Sequence, residues 1–240
     1  MKTNSKNPSL SIAINLLLFT AIVLGKYTAA VAQASKTNLI SYYITANKVF
    51  DGENMQQNWA VIVQGNTITA AGPKDKIAVP ANAKLINYPN ATLTPGLIEG
   101  HSHILLYPYN LTDWDTQVTK ESDAYRAARA TVHVKKTLLA GFTTARDLGS
   151  EGAGYADVAI KRAIEDGIIP GPRLLVAGKA IVATGSYGPK GYDLDQQIMI
   201  GAEEADGNNL IKVVRDQIGK GADLIKVYAD YRWGLNEEAM

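Results

Sequence analysis

Thr94-Pro95-Gly96-Leu97-Ile98-Glu99-Gly100-His101-Ser102-His103-Ile104 is the stretch whose reading decides the fold of this chain. A Pro-Gly turn feeds an apolar run that closes on two histidines one residue apart. On a strand, side chains two apart share a face, so His101 and His103 point the same way. Two neutral imidazoles on one face begin a metal site, because a histidine nitrogen binds zinc-like ions without a thiol having to lose its proton. The same spacing also occurs as two histidines on an ordinary surface strand. The turn, the apolar run and the histidines at its C-terminal end instead suit the mouth of an α/β barrel.

Downstream of Leu93, short apolar strands alternate with helical patterns, the signature of βα units and a parallel sheet. The pattern predicts a first strand over 93–104. A helix follows over 123–139, with Ala124, Ala127, Ala128, Thr131, Val134 and Leu138 on one stripe and Gly141 as terminator. Then come a strand over 143–147, a helix over 155–166, a strand over 173–183, a helix over 209–218 and a strand over 223–229. Four such strands are half of a closed eight-stranded barrel, so the expected fold is α/β, the first half of a TIM-like (β/α)8 barrel. An open doubly wound sheet is the alternative, but no Gly-x-Gly-x-x-Gly phosphate loop follows a strand here.

Upstream, residues 39–92 read as a small β-sandwich portion, with strands at 39–45, 60–63, 67–72 and 83–88 and a hairpin turn at Gln64-Gly65-Asn66. These strands are few for a free-standing sheet and call for partners from elsewhere. The first 34 residues follow a different rule. Lys2 and Lys6 precede an apolar stretch from Ile12 to Gly25, and Ala30-Val31-Ala32 or Ala32-Gln33-Ala34 supplies small residues for cleavage. This reads as a secretory signal peptide, with an uncleaved anchor as the alternative. The expected division is therefore 1–34 signal peptide, 35–92 β portion and 93–240 barrel half. The protein is expected to be exported, periplasmic or secreted, with no integral membrane span after cleavage.

Composition excludes several classes. The chain has 240 residues, 46% hydrophobic and 20% charged, which is ordinary globular make-up and not that of a disordered chain. Net charge is +1 with no basic run, so a nucleic-acid partner has no support and the expected partner is a small molecule. Cysteine is absent, so disulfides play no part.

Lys226 stands in the apolar run Leu224-Ile225-Lys226-Val227-Tyr228-Ala229, where alternation puts Leu224, Lys226 and Tyr228 on one face. Burial would lower its pKa and free a neutral amine as a nucleophile or a site for CO2 addition; otherwise the side chain snorkels to the strand end and pairs with an acid. Tyr228 is a candidate donor to a substrate carbonyl, or a core tyrosine with its hydroxyl capped by backbone. Asp147, beside Arg146, reads as an ion pair or loop brace, and His133 as an ordinary helix-face histidine. The loop Tyr228 to Gly234 lines a substrate pocket or caps the barrel.

Three segments together carry a resemblance. Pro95 to His103, Gly141-Phe142-Thr143-Thr144-Ala145-Arg146-Asp147 and Gly221-Ala222-Asp223-Leu224-Ile225-Lys226-Val227 resemble the metal-dependent amidohydrolase superfamily, most closely its imidazolonepropionase-like and Xaa-Pro dipeptidase-like branch, from about residue 40 onward. The resemblance implies a barrel of the metal-dependent hydrolase type with two divalent metal ions, usually zinc. It implies that His101 and His103 bind one ion, and that Lys226 is carboxylated and bridges both. It implies hydrolysis of an amide C–N bond, peptide-like or cyclic, by a metal-bridging hydroxide, on a small or dipeptide-like substrate. Relatives supply two further histidines and an aspartate from later strands, which are expected beyond Met240. Many also carry a Gly-Gly-His-Gly-like stretch where this chain has Thr184-Gly185-Ser186-Tyr187-Gly188-Pro189. The chain is accordingly expected to be an N-terminal fragment, inactive alone, with oligomer formation left open. The competing expectation is a non-enzymatic partial barrel that acts as an interaction module, because open strand edges invite pairing.

Overall fold

A computed structural model of the protein describes residues 40–187 and 201–228. The proposed signal peptide, the loop beyond Tyr228 and the helix start after Gly234 lie outside the described residues. The chain divides into two compact units, Met1–Pro95 and Gly96–Met240.

The first unit is built on one central strand. β1 (Ser41–Phe50) pairs antiparallel with β2 (Met55–Gln57) and β3 (Trp59–Gln64), and parallel with β5 (Lys84–Leu93); β4 (Thr67–Pro73) pairs antiparallel with β3. Ser41↔Gln64 and Phe50↔Met55 belong to one register, so β2 and β3 are a single strand interrupted at Asn58, whose φ of 56° breaks the pleat. The hairpin between β3 and β4 turns on Gly65, whose φ of 61° is the positive value that a two-residue II′ turn demands at its first central position. Ala46, Val49, Ala60, Val61 and Ile62 are buried in this layer.

The second unit is α/β. β6 (Leu97–Ser102), β7 (Phe142–Asp147) and β8 (Arg173–Val176) form a parallel sheet in that order, and β9 (Ala180–Val182) pairs parallel with β10 (Ala202–Glu204). The helices are α1 (Trp114–Thr119), α2 (Asp123–Leu139), α3 (Ala156–Glu165) and α4 (Asn209–Gly219). Ser122 caps α2 by accepting from the Tyr125 N–H, and Asp123 in the first turn suits the positive end of the helix. Its buried stripe of Arg126, Ala130 and Val134 meets Ala145, Leu174 and Val176 of the sheet, Ile160 of α3, and Ile104 and Leu105. Gly141, at φ 97°, ends the helix and lets the chain turn into β7. A smaller core gathers Ile181, Ala205 and Val213 with Val214 and Ile225.

Four features differ from the sequence reading. The first barrel strand runs from Leu97 to Ser102, not from residue 93 to 104, because Leu93 completes β5 in the other unit. α1, capped by Asp113 on the Thr116 N–H at 2.8 Å, stands where no helix was expected. The strand expected over 173–183 breaks into β8 and β9 at Gly178, which is buried at φ 70°. The strand expected over 223–229 is, among the described residues, a single bridge between Ile181 and Val227. It is closed by Ile181 N–H to Lys226 O at 2.8 Å and Tyr228 N–H to Ile181 O at 2.9 Å.

Gly178 combines a positive φ with a close neighbour. A Cβ there would sit 2.7 Å from Cε1 of Tyr155, in a backbone region that L side chains avoid. Gly178→Ala is expected to destabilise the protein by about 2–4 kcal/mol, combining left-handed strain with overpacking, as read by urea denaturation.

Candidate metal centre

The geometry at the end of β6 follows from a one-residue irregularity. Glu99 pairs with Ala145 and Ser102 with Asp147, so β6 carries one residue more than β7 between those pairs. Glu99, Ser102 and Ala145 line a cavity of about 620 Å³ together with His133 and Val134 of α2, on the helix-facing side of the sheet. Strict alternation from Glu99 would send His101 to that same side. The extra residue turns it away, and the Arg146 Nε–H holds the irregularity by donating to Gly100 O at 2.7 Å.

His101 and His103 come together, their ring centroids 5.4 Å apart and tilted by 58°. Nδ1 of His103 lies 3.0 Å from Gly149 O and 3.6 Å from Oε1 of Glu151. Both are acceptors, so Nδ1 is the ring nitrogen placed to donate and Nε2 the one left to face a ligand. His101 is held below the usual histidine pKa by lost hydration, then by the Lys226 ammonium and by charge on His103, all of which favour its neutral form. Lys226 therefore stands within electrostatic reach of His101, although β6 and the residue 226 segment are far apart in sequence. It is partly buried, and its Nζ rests 4.9 Å above the centroid of the Tyr228 ring. Tyr228 donates its hydroxyl to Oε1 of Glu151 at 3.3 Å and stacks on Tyr187, centroid to centroid 4.9 Å. The cap on that hydroxyl is thus a carboxylate and not backbone.

Glu151 is the residue that sequence reasoning missed. It is buried, at 3% exposure, with φ of 49°, and it also accepts from Trp114 Nε1 at 2.9 Å and Tyr187 Oη at 2.7 Å. The one available signal was an acidic residue set in the glycine-rich run Gly149-Ser150-Glu151-Gly152-Ala153-Gly154. Burial and the Glu151 carboxylate push the Tyr187 hydroxyl far above its ordinary pKa, so it stays a donor.

Two other residues weighed from sequence lie outside this cluster. His133, on α2, lies with its Nδ1 3.2 Å from Ile104 O, stacks on Tyr107 and faces the cavity, with Nε2 buried and unpartnered among the described residues. Asp147 makes no pair with Arg146; it braces the loop by accepting the Ile104 N–H at 2.9 Å. Among the described residues, no group of three or more His, Cys, Asp or Glu side chains is placed to hold a metal ion. The donor set His101, His103 and Lys226 nevertheless fits one in chemistry: two neutral imidazoles, one with its far nitrogen already committed, beside an amine.

The parallel βα units, with His101 in β6 and His103 just past its end, define part of a TIM-like barrel. Residues 92–237 match the model of the amidohydrolase family, more than half of the chain, and the chain belongs to that family. Its fold is a partial TIM-like barrel preceded by a β unit. A solved Xaa-Pro dipeptidase with methionine bound in its active site is 26% identical with a TM-score of 0.68, covering 80% of this chain and 48% of that one. A prolidase complexed with N-methylphosphonate-L-proline is 28% identical with a TM-score of 0.64, covering 79% and 47%. The A. niger ochratoxinase is 26% identical with a TM-score of 0.63, covering 80% and 47%. The chain spans about half the length of the solved structures it matches. A search of curated proteins finds no match. No helix among the described residues is long and apolar enough to cross a membrane.

Asp147 has a measurable signature. Burial, then the charge of Asp157, raises its pKa well above the ordinary carboxylate value, so the folded state holds its proton more tightly than the unfolded chain does. That contribution is fully present at low pH and is lost as pH rises from about 4 through the raised folded value. Urea denaturation across pH is expected to show a shallower fall in stability for Asp147→Asn than for the wild type; parallel slopes would contradict it.

Proposed function

We propose that this protein takes part in hydrolysing an amide C–N bond, in a peptide-like or cyclic amide substrate, at two divalent metal ions, with zinc the leading identity. The observation that carries the reading is the contact of His103 Nδ1 with Gly149 O at 3.0 Å, with the Glu151 carboxylate 3.6 Å away, while its ring lies against His101 and Lys226 stands nearby. The ligands named for the solved Xaa-Pro dipeptidase and prolidase support a dipeptide-like substrate.

Metal ions held there supply Lewis acidity toward the substrate carbonyl and lower the pKa of the attacking water. His101 and His103 offer neutral nitrogen donors. Lys226, as the free amine, adds CO2 at Nζ, forming an N–C bond and releasing one proton to water. The product is an anionic oxygen donor in place of a cation. Tyr228 is the candidate donor to the substrate carbonyl, in exchange for its bond to Glu151. We assign residues 1–34 to an export signal, which makes the protein periplasmic or secreted. The 240-residue chain by itself is proposed to be inactive, because its described residues gather only these three candidate ligands.

Elemental analysis of the purified, monodisperse protein is expected to find zinc or a similar ion in the wild type and none in His101→Ala. A folded but metal-free wild type would sink this reading. Assayed against Xaa-Pro dipeptides, the 240-residue chain is expected to show no turnover, and turnover without added sequence would overturn its proposed incompleteness.

A further inference from the structure

Glu151 occupies a backbone conformation that costs a non-glycine residue about 1–2 kcal/mol, inside a run where Gly149, Gly152 and Gly154 also take positive φ. Glycine would meet that backbone requirement without strain. What holds a glutamate there is its carboxylate, which is deeply buried and contacted on both oxygens. Oε2 accepts from Trp114 Nε1 at 2.9 Å and Tyr187 Oη at 2.7 Å; Oε1 accepts from Tyr228 Oη at 3.3 Å and lies 3.6 Å from His103 Nδ1. The backbone carbonyl of the same residue accepts from Arg126 Nη1 at 2.7 Å, so main chain and side chain are both tethered. Trp114 meets Tyr187 edge-on and Tyr187 stacks on Tyr228, so the three donors form one aromatic wall.

We propose that Glu151 is a positioning residue of the metal centre. Gly149 O is the hydrogen-bond partner of His103 Nδ1 at 3.0 Å, and the Glu151 charge 3.6 Å away acts through space on that nitrogen and so on the strength of Nε2 as a ligand, while linking His103 to the Trp114, Tyr187 and Tyr228 wall beside Lys226. The proposal rests on the metal-binding reading given above. A carboxylate facing the far N–H of a ligating imidazole fixes ring orientation and raises the basicity of the other nitrogen. A glutamine of the same shape carries no charge and presents only one acceptor oxygen to donors now served by two.

The test is Zn2+ affinity of the full 240-residue chain, by competition with a chromophoric chelator, with circular dichroism to confirm the fold. Glu151→Gln is expected to weaken zinc binding by about tenfold or more. Tyr187→Phe strips one hydrogen bond from the same carboxylate but leaves its charge beside His103, and is expected to lose less than about threefold. A Glu151→Gln affinity like that of the wild type, or an equal loss in Tyr187→Phe, overturns the proposal. Should Glu151→Gln not fold, Glu151→Asp, which draws the carboxylate back from His103 by one methylene, is expected to lose at least about threefold. Wild-type binding by that variant overturns the proposal too. A wild-type chain that binds no zinc overturns the metal-binding reading and this role together, whereas zinc held equally by wild type and Glu151→Gln overturns this role alone.

Discussion

The second unit depends on a cation that has almost no water around it. The guanidinium of Arg126 is 1% exposed and donates to three main-chain carbonyls: Leu105 through Nε at 3.2 Å, Glu151 through Nη1 at 2.7 Å and Ser150 through Nη2 at 3.1 Å. No carboxylate pairs with it directly among the described residues. Burying a charge is costly unless every donor is met, and here carbonyl dipoles meet it on three sides while the charges of Asp123, Glu121 and Glu151 favour the cation from farther off. One side chain on α2 thereby joins the segment after β6 to the loop after β7. Those two segments carry His103 and Glu151, so the helix that packs the core also fixes the distance across the candidate site.

Aspartates repeat the same tactic in smaller form. Two residues beyond the end of β6, the Ile104 N–H is taken by Asp147; two beyond β8, the Gly178 N–H is taken by Asp157; two beyond β9, the Thr184 N–H is taken by Asp206. A strand that leaves its sheet loses its ladder partner, and a buried N–H cannot be left unpaired. Asp147 and Asp157 each meet one such buried group, while the Thr184 N–H met by Asp206 is exposed. The carboxylates of Asp147 and Asp157 are buried to do so, which is why both stand above the ordinary carboxylate range.

Much of this was legible in the sequence, for local reasons. The bounds of α2 follow from an apolar stripe and a terminating glycine within one segment, to which the structure adds the Ser122 cap. The nearness of His101 to His103 and of Lys226 to Tyr228 matches the two-residue spacing read as strand alternation, although His103 lies past the end of β6 and Lys226 and Tyr228 flank a single bridge. What escaped has a nonlocal cause. Glu151 looked like a loop acid among glycines, because its partners Trp114, Tyr187 and Tyr228 lie 36 to 77 residues away. The break at Gly178 was passed over because apolar residues flank Gly178-Lys179 on both sides, and the ring of Tyr155 lying against Gly178 is visible only in the fold. α1 was missed because its six residues are too few to display a helical period.

The supernumerary residue of β6 bears on how such a chain can vary over generations. Lengthening or shortening a surface connection by one residue usually leaves the elements on either side facing as before. Between Glu99 and Ser102 the same event would turn His101 toward the α2 side of the sheet, where the cavity lies. Replacement of residues in that segment is thus open to drift in a way that loss or gain of a codon is not. The spacing from the Pro95-Gly96 turn to His101 is a counted length, and lineages that keep the histidines must keep the count.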